Sequence, residues 1–237
     1  MAGRWILGMR WEQLLFAHWP VPTDALAKRI PAGLELDTID GAAWIGIVPF
    51  RMANVGLPGL ALPGPLGRFG EANVRTYVRP TDPRNGQPGV WFLSLDAENP
   101  YVVAAGRAVF HVPYLRARIH MDDSADGVSY SLRRTHHGAP PARFRATYRA
   151  TGTAASASPG SLQEWLTERH AVYAADPRGR LVRGDIRHEP WRLAPAAWHL
   201  ERETLLAALG IRRPEEEALL YLAEPVDVVA AWPTSLG

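Results

Sequence analysis

Short apolar runs closed by turn signals recur through the middle of the chain and leave little room for anything but a sheet-built fold. Residues 43–50, 72–79, 89–96, 107–112, 116–121, 128–135 and 142–150 each have strand length. Turn formers such as Asp82-Pro83, Asn85-Gly86 and Asp126-Gly127 separate them. Regular strands with this punctuation predict an antiparallel sheet or barrel. Residues 34–37 are expected to be extended and to pair with 43–50 through an Asp40-Gly41 turn. A second hairpin is expected over 179–190 and a closing strand over 227–231. Residues 56–70, crowded with Gly and Pro, read as a loop, for which a flap over a pocket is one role.

Helix signals are few. Residues 23–30 read as a short helix that Thr23 or Asp24 can cap and that Pro31 and Gly33 stop. Residues 161–174 carry the best one, opened by the capping box Ser161/Glu164. A last helix is expected over 200–209, with Gly210 at its end, and residues 102–105 fit either a helical turn or a strand. No linker or internal repeat divides the 237 residues, so one domain over 1–237 is expected.

Composition narrows the function classes. Cysteine is absent, which removes disulfides, thiolate metal sites and Cys nucleophiles and fits a reducing cytoplasm. The net charge is only +2 and no basic run appears, so no nucleic-acid partner is expected. The start, Arg4-Trp5-Ile6-Leu7, is interrupted by Arg10 and Glu12 and lacks a signal-peptide core, and no stretch is apolar enough to span a bilayer. A cytoplasmic protein with no membrane partner is the expectation.

The segment 71–77 carries the most chemistry. Alternate residues of a strand share a face, so Glu71, Asn73, Arg75 and Tyr77 line one side and Ala72, Val74 and Thr76 the other. The polar stripe faces either water or an interior; inside, the Glu and Arg must be hydrogen-bonded. His136-His137, His170 and His188-Glu189 are scattered, and no His-Glu-x-x-His spacing exists, so no metal site is expected. No Gly-x-Ser-x-Gly elbow or phosphate-binding Gly loop is present.

Several motifs in order carry a family resemblance: Leu-Leu-Phe-Ala-His-Trp near residue 16, Arg-Ile-Pro-Ala-Gly-Leu-Glu-Leu-Asp at 29–37, and Asp-Gly-Ala-Ala-Trp-Ile-Gly-Ile-Val-Pro-Phe at 40–50. Glu-Ala-Asn-Val-Arg-Thr-Tyr-Val at 71–78 is the most diagnostic, followed by Gly-Val-Trp-Phe-Leu-Ser-Leu-Asp-Ala at 89–97 and Val-Pro-Tyr-Leu-Arg-Ala at 112–117. Leu-Thr-Glu-Arg-His at 166–170 and His-Glu-Pro-Trp at 188–191 complete the set. The chain resembles the uncharacterised DUF2071 (YqjF-like) family, which in turn resembles the acetoacetate-decarboxylase-like superfamily. That resemblance implies a mainly β (α+β) fold: an antiparallel, cone-like barrel with a few peripheral helices and an internal pocket.

The decarboxylases use a pocket lysine as a Schiff base. The stretch here that is similar to their Gly-Arg … Phe-Pro-Lys pattern runs from Gly106-Arg107 to Val112-Pro113-Tyr114-Leu115, with Tyr114 or Leu115 where the lysine would stand. Lys28, the only lysine, sits on the short N-terminal helix, so Schiff-base chemistry is not expected. What remains is a pocket with Glu71, Arg75 and Tyr114 as candidate catalytic groups and Asn73, Tyr77, Arg107 and His188 as candidate ligand contacts. Three readings follow. The first is capture of a small organic carbonyl or carboxylate compound. The second is a lysine-independent lyase or isomerase, and the third a partner-binding scaffold with a vestigial pocket. No cofactor is expected; a small-molecule ligand is, and a homo-oligomer is compatible with the sequence.

Overall fold

The structure is a computed structural model describing residues 5–236, so Arg4 of the leader expectation lies outside the described residues. The strands are β1 (Trp5–Glu12), β2 (Leu15–Val21), β3 (Leu34–Leu36), β4 (Ala43–Leu57), β5 (Leu60–Ala61), β6 (Phe69–Pro80), β7 (Gly89–Ala97), β8 (Tyr114–Ser124) and β9 (Gly127–Arg134). They continue with β10 (Arg143–Ala150), β11 (Ala155–Ser156), β12 (Ala171–Ala175), β13 (Leu181–His188), β14 (Arg192–Glu203), β15 (Leu219–Ala223), β16 (Val226–Ala231) and β17 (Thr234–Ser235). The α-helices are α1 (Asp24–Ala27), α2 (Pro100–Val109), α3 (Leu162–Thr167) and α4 (Leu205–Ala208). Among the described residues no helix is long and apolar enough to cross a membrane.

The pairings close two rings that share one wall. The first runs β1, β16, β13, β12, β7, β6, β4 and back to β1. The second runs β2, β15, β14, β10, β9, β8, β7, β6, β4 and back to β2. Strands β4, β6 and β7 belong to both. The long β4 makes this possible: its first half pairs with β2 and its second half with β1. Pairing is antiparallel except at β7, which runs parallel to β8 and β12, a departure from the all-antiparallel expectation.

Alternation along the shared wall gives each ring its own interior. Ala72 and Val74 join Ile45, Ile47, Trp19, Tyr130 and Phe144 in the second ring, which is packed solid. Leu205 and Leu206 of α4 are fully buried in the same core. Phe69, Phe50 and Val48 face the first ring instead. A bulge in β7 opposite Val74 and Arg75 keeps both Phe92 and Leu95 on the first-ring side, although they are three positions apart. The second ring also buries one ion pair: both Arg134 Nη2–Asp96 Oδ2 and Arg134 Nε–Asp96 Oδ1 are 2.7 Å.

Several local expectations change. Residues 107–112 are not a strand, because α2 runs to Val109. Residues 161–174 split into the short α3 and strand β12, and β14 continues to Glu203 where a helix was expected from 200. Residues 179–190 contribute one strand, β13, which pairs with β12 and β16. Residues 34–37 pair with β6, and the Asp40-Gly41 turn closes only an Ile39–Ala42 bridge. The segment 56–70 is partly ordered as β5 pairing back on β4.

Candidate functional site

The first ring is hollow. It encloses a cavity of about 260 Å³ to which all seven of its strands contribute. Every second residue points inward: Leu7, Met9 and Trp11 on β1, Val48, Phe50 and Met52 on β4, and Gly184, Ile186 and His188 on β13. α2 covers one side with Val102, Ala105 and Phe110. Against this apolar lining, β6 presents Glu71, Asn73 and Arg75.

Glu71 is fully enclosed, and burial pushes its carboxyl up to about 8. Hydrogen bonds from Tyr114 and Asn73 oppose that rise only in part. Tyr114 Oη donates to Glu71 Oε2 at 3.0 Å, and burial followed by the Glu71 charge holds the phenol protonated. Near neutral pH, then, Glu71 is mostly a neutral acid beside a neutral phenol. Asn73 keeps a buried Oδ1 with no partner.

Arg75 is the charge left over. Its Nη2 donates to Leu166 O at 2.9 Å, and its guanidinium lies 5.2 Å from the Phe16 ring centre and 5.6 Å from that of Tyr77. Among the described residues no carboxylate comes within 4 Å of it, and its Nε is buried without a partner. The other guanidinium on the lining, Arg169, is neutralised by Asp37 at 2.6 Å and stacks over Trp165. Asp185 is paired with Arg183 at 2.8 Å. Sequence reasoning missed Arg169; the Leu-Thr-Glu-Arg-His stretch held it, but it was read as part of a longer helix.

Two expected contacts sit outside the lining. Tyr77 lies one layer back, fully buried, donating to Leu166 O at 2.8 Å. Its single proton is used there, so His18 Nε2 donates to the phenol oxygen at 2.8 Å. Burial, then the Arg75 charge, keeps His18 neutral. Gly46 leaves room for this ring, since a Cβ there would stand 2.6 Å from His18 Cδ2. Arg107 is on the exposed side of α2 and donates to the Tyr114 backbone oxygen at 2.9 Å. Its neighbour Gly106 lets the Tyr114 ring approach, because a Cβ would come within 2.3 Å of Tyr114 Cδ2. The Gly106-Arg107 pair therefore positions Tyr114. Lys28 is exposed at the end of α1 and is not on the cavity lining.

His188 does line the cavity, with Nδ1 2.7 Å from Glu189 O, and burial lowers its pKa. The fold brings Glu168 and His170 beside it: one ligating atom from each of the three lies within 4.8 Å of the others.

The model of an uncharacterised conserved protein family, DUF2071, matches residues 8–227. The chain belongs to DUF2071. The uncharacterized protein YqjF of Bacillus subtilis (strain 168) is 38% identical over 231 residues, 98% of this chain and 92% of the relative. Solved structures share the fold at lower identity. The enduracididine biosynthesis enzyme MppR complexed with pyruvate superposes with a TM-score of 0.67 at 16% identity, over 100% of this chain and 92% of that one. An acetoacetate decarboxylase gives 0.66 at 16% identity, covering 98% and 90%. An acetoacetate decarboxylase-like enzyme from Sphingomonas wittichii RW1 gives 0.62 at 16%, covering 98% and 94%. This DUF2071 chain thus has the acetoacetate-decarboxylase-like fold, mainly β with a few short helices.

Proposed function

We propose that the first-ring cavity binds a small organic acid through Arg75, without a Schiff base. The observation that carries this reading is the uncompensated guanidinium. Arginine stays charged at any physiological pH. Arg75 is part-buried, and a charge drawn from water into an apolar lining is costly unless it is paired. Glu71, the nearest acid on the same strand face, is held neutral and cannot serve as counter-ion. A carboxylate entering the cavity supplies the missing charge, and the guanidinium fork suits it. The volume, about 260 Å³, sits at the small end of ligand pockets and suits a metabolite-sized acid with an apolar body. The pyruvate named in the MppR complex is such an acid, which supports the reading.

Glu71 and Tyr114 support a second reading, proton transfer at a carbonyl carbon of that acid. A carboxyl near 8 is poised to give up and take back a proton close to neutrality.

Calorimetric titration with pyruvate, acetoacetate and phenylpyruvate tests both. Wild-type protein binds at least one of the three, and Arg75→Met weakens it by about 10- to 100-fold, the value of a charge-assisted pair. Glu71→Gln keeps the affinity; loss of proton exchange at the bound acid's α-carbon, followed by NMR in deuterated water, assigns catalysis to Glu71. Failure of all three acids to bind at millimolar concentration, or equal binding by Arg75→Met, overturns the anion reading and leaves the scaffold.

A further inference from the structure

Two family-like stretches, Leu-Thr-Glu-Arg-His at 166–170 and His-Glu-Pro-Trp at 188–191, meet at the rim of the cavity. The end of α3 carries Glu168, and the chain then turns into β12. There Ile186 N donates to His170 O at 2.9 Å, which seats His170 beside β13. His188 closes β13, and its ring centre stands 4.7 Å from that of His170. His170 Nε2 is 3.6 Å from Glu168 Oε2.

We propose that Glu168, His170 and His188 bind a divalent transition-metal ion of the zinc or iron(II) class at the cavity rim. Two imidazoles and one carboxylate are the donor set of many open metal sites. With bonds of about 2.1 Å, tetrahedral donors stand about 3.4 Å apart, so the His170–Glu168 separation of 3.6 Å needs little adjustment. Two of the three ligands are already oriented by a second contact. His188 donates Nδ1–H to Glu189 O at 2.7 Å, leaving the lone pair on Nε2. Glu168 Oε1 accepts Trp191 N at 2.8 Å, leaving Oε2 free, and Trp191 Nε1 ties the same turn through Thr167 O at 3.1 Å. Among the described residues no arginine or lysine lies within 4 Å of the Glu168 carboxylate, so its charge is not already matched by a fixed cation. The side chains of His170 and Glu168 are 37% and 18% exposed, which gives an ion a path from solvent, while His188 faces the cavity. Three protein ligands leave at least one position for water or for an oxygen of a bound compound.

The site stands apart from the anion reading and is tested without an organic ligand. Protein stripped with EDTA is titrated with Zn²⁺ and, separately, with Co²⁺ by calorimetry and visible absorption. Wild-type protein takes up one equivalent. His170→Ala, His188→Ala and Glu168→Gln each weaken it by about 100-fold or more, beyond the usual effect of an orienting group. His137→Ala binds as wild type. Glu168→Gln preserves an acceptor for Trp191 N and guards against misfolding in the histidine variants. Absence of saturable uptake of either ion at micromolar concentration overturns the proposal, as does unchanged uptake in Glu168→Gln together with either histidine variant.

Discussion

A carboxyl group that folding protonates makes stability fall as pH rises, and Glu71 is such a group. Unfolded, it titrates near its ordinary 4.5; folded, near 8. Below about 4.5 both states hold the proton and nothing is lost. Between the two values the unfolded chain releases it while the folded chain keeps it, and above about 8 the penalty levels off. Relative to the wild type, Glu71→Gln should therefore gain about 1.4 kcal/mol per pH unit across that window. Urea midpoints of the two proteins at about pH 5 and pH 8 check this; parallel shifts would mean that the carboxyl is already ionised in the fold. At this scale the sequence was informative where one strand decides. Alternation placed Glu71, Asn73 and Arg75 on one face, leaving open whether it met water or an interior, and all three line the cavity. Tyr77 obeys the same alternation, yet the carbonyl of Leu166, far along the chain, engages its hydroxyl and covers it. Arg107 lies on α2, where the local pattern suggests a strand, and Glu168 with His170 gave no signal because His188, which completes the cluster, is far along the chain.

Elements were misread where local pattern and sheet pairing compete. The first turn of α3 forms as its capping signals require, with Ser161 Oγ accepting Glu164 N at 3.2 Å and Glu164 taking Gly160 N. The helix then stops at Glu168, because the following Ala171–Ala175 segment is claimed from two sides. It pairs antiparallel with β13 and parallel with β7, and Val172 and Tyr173 suit a pleated surface better than a helix end. The same competition extends β14 through Glu203, since β10 pairs with it from Ala196 to Glu203. Gly89 is the hinge of the parallel contact: a Cβ there would come within 2.3 Å of Ala171 O. Gly89→Ala should cost about 1–3 kcal/mol, as overpacking does, by prying β12 from β7. Chemical denaturation measures it, and an unchanged midpoint would mean that this seam carries no weight in the closure of the first ring.

For the whole molecule, the decisive contacts are those the sequence cannot rank: β1 with β16, β2 with β15, and the double use of β4. A succession of strands was legible; two rings, one filled and one hollow, were not, because closure joins the ends of the chain. The filled ring carries the large aromatic and aliphatic side chains, Phe144 among them at 1% exposure. Phe144→Ala should therefore cost about 3–5 kcal/mol. Its effect on pyruvate or acetoacetate affinity should be small, since the residue is not on the cavity lining. Thermal melts and the same calorimetric titration separate the two outcomes.

Because β6 serves as a party wall, its two faces answer to different masters. Substitutions at 71, 73 and 75 can retune what the hollow chamber accepts while leaving Ala72 and Val74 undisturbed in the solid one. An insertion or deletion of one residue has no such freedom. Unless a bulge absorbs it, as one does in β7, it would turn over the strand beyond it, sending polar groups into the packed interior and small aliphatics toward the cavity. Point changes within that strand can thus alter the chemistry of one chamber without unpacking the other.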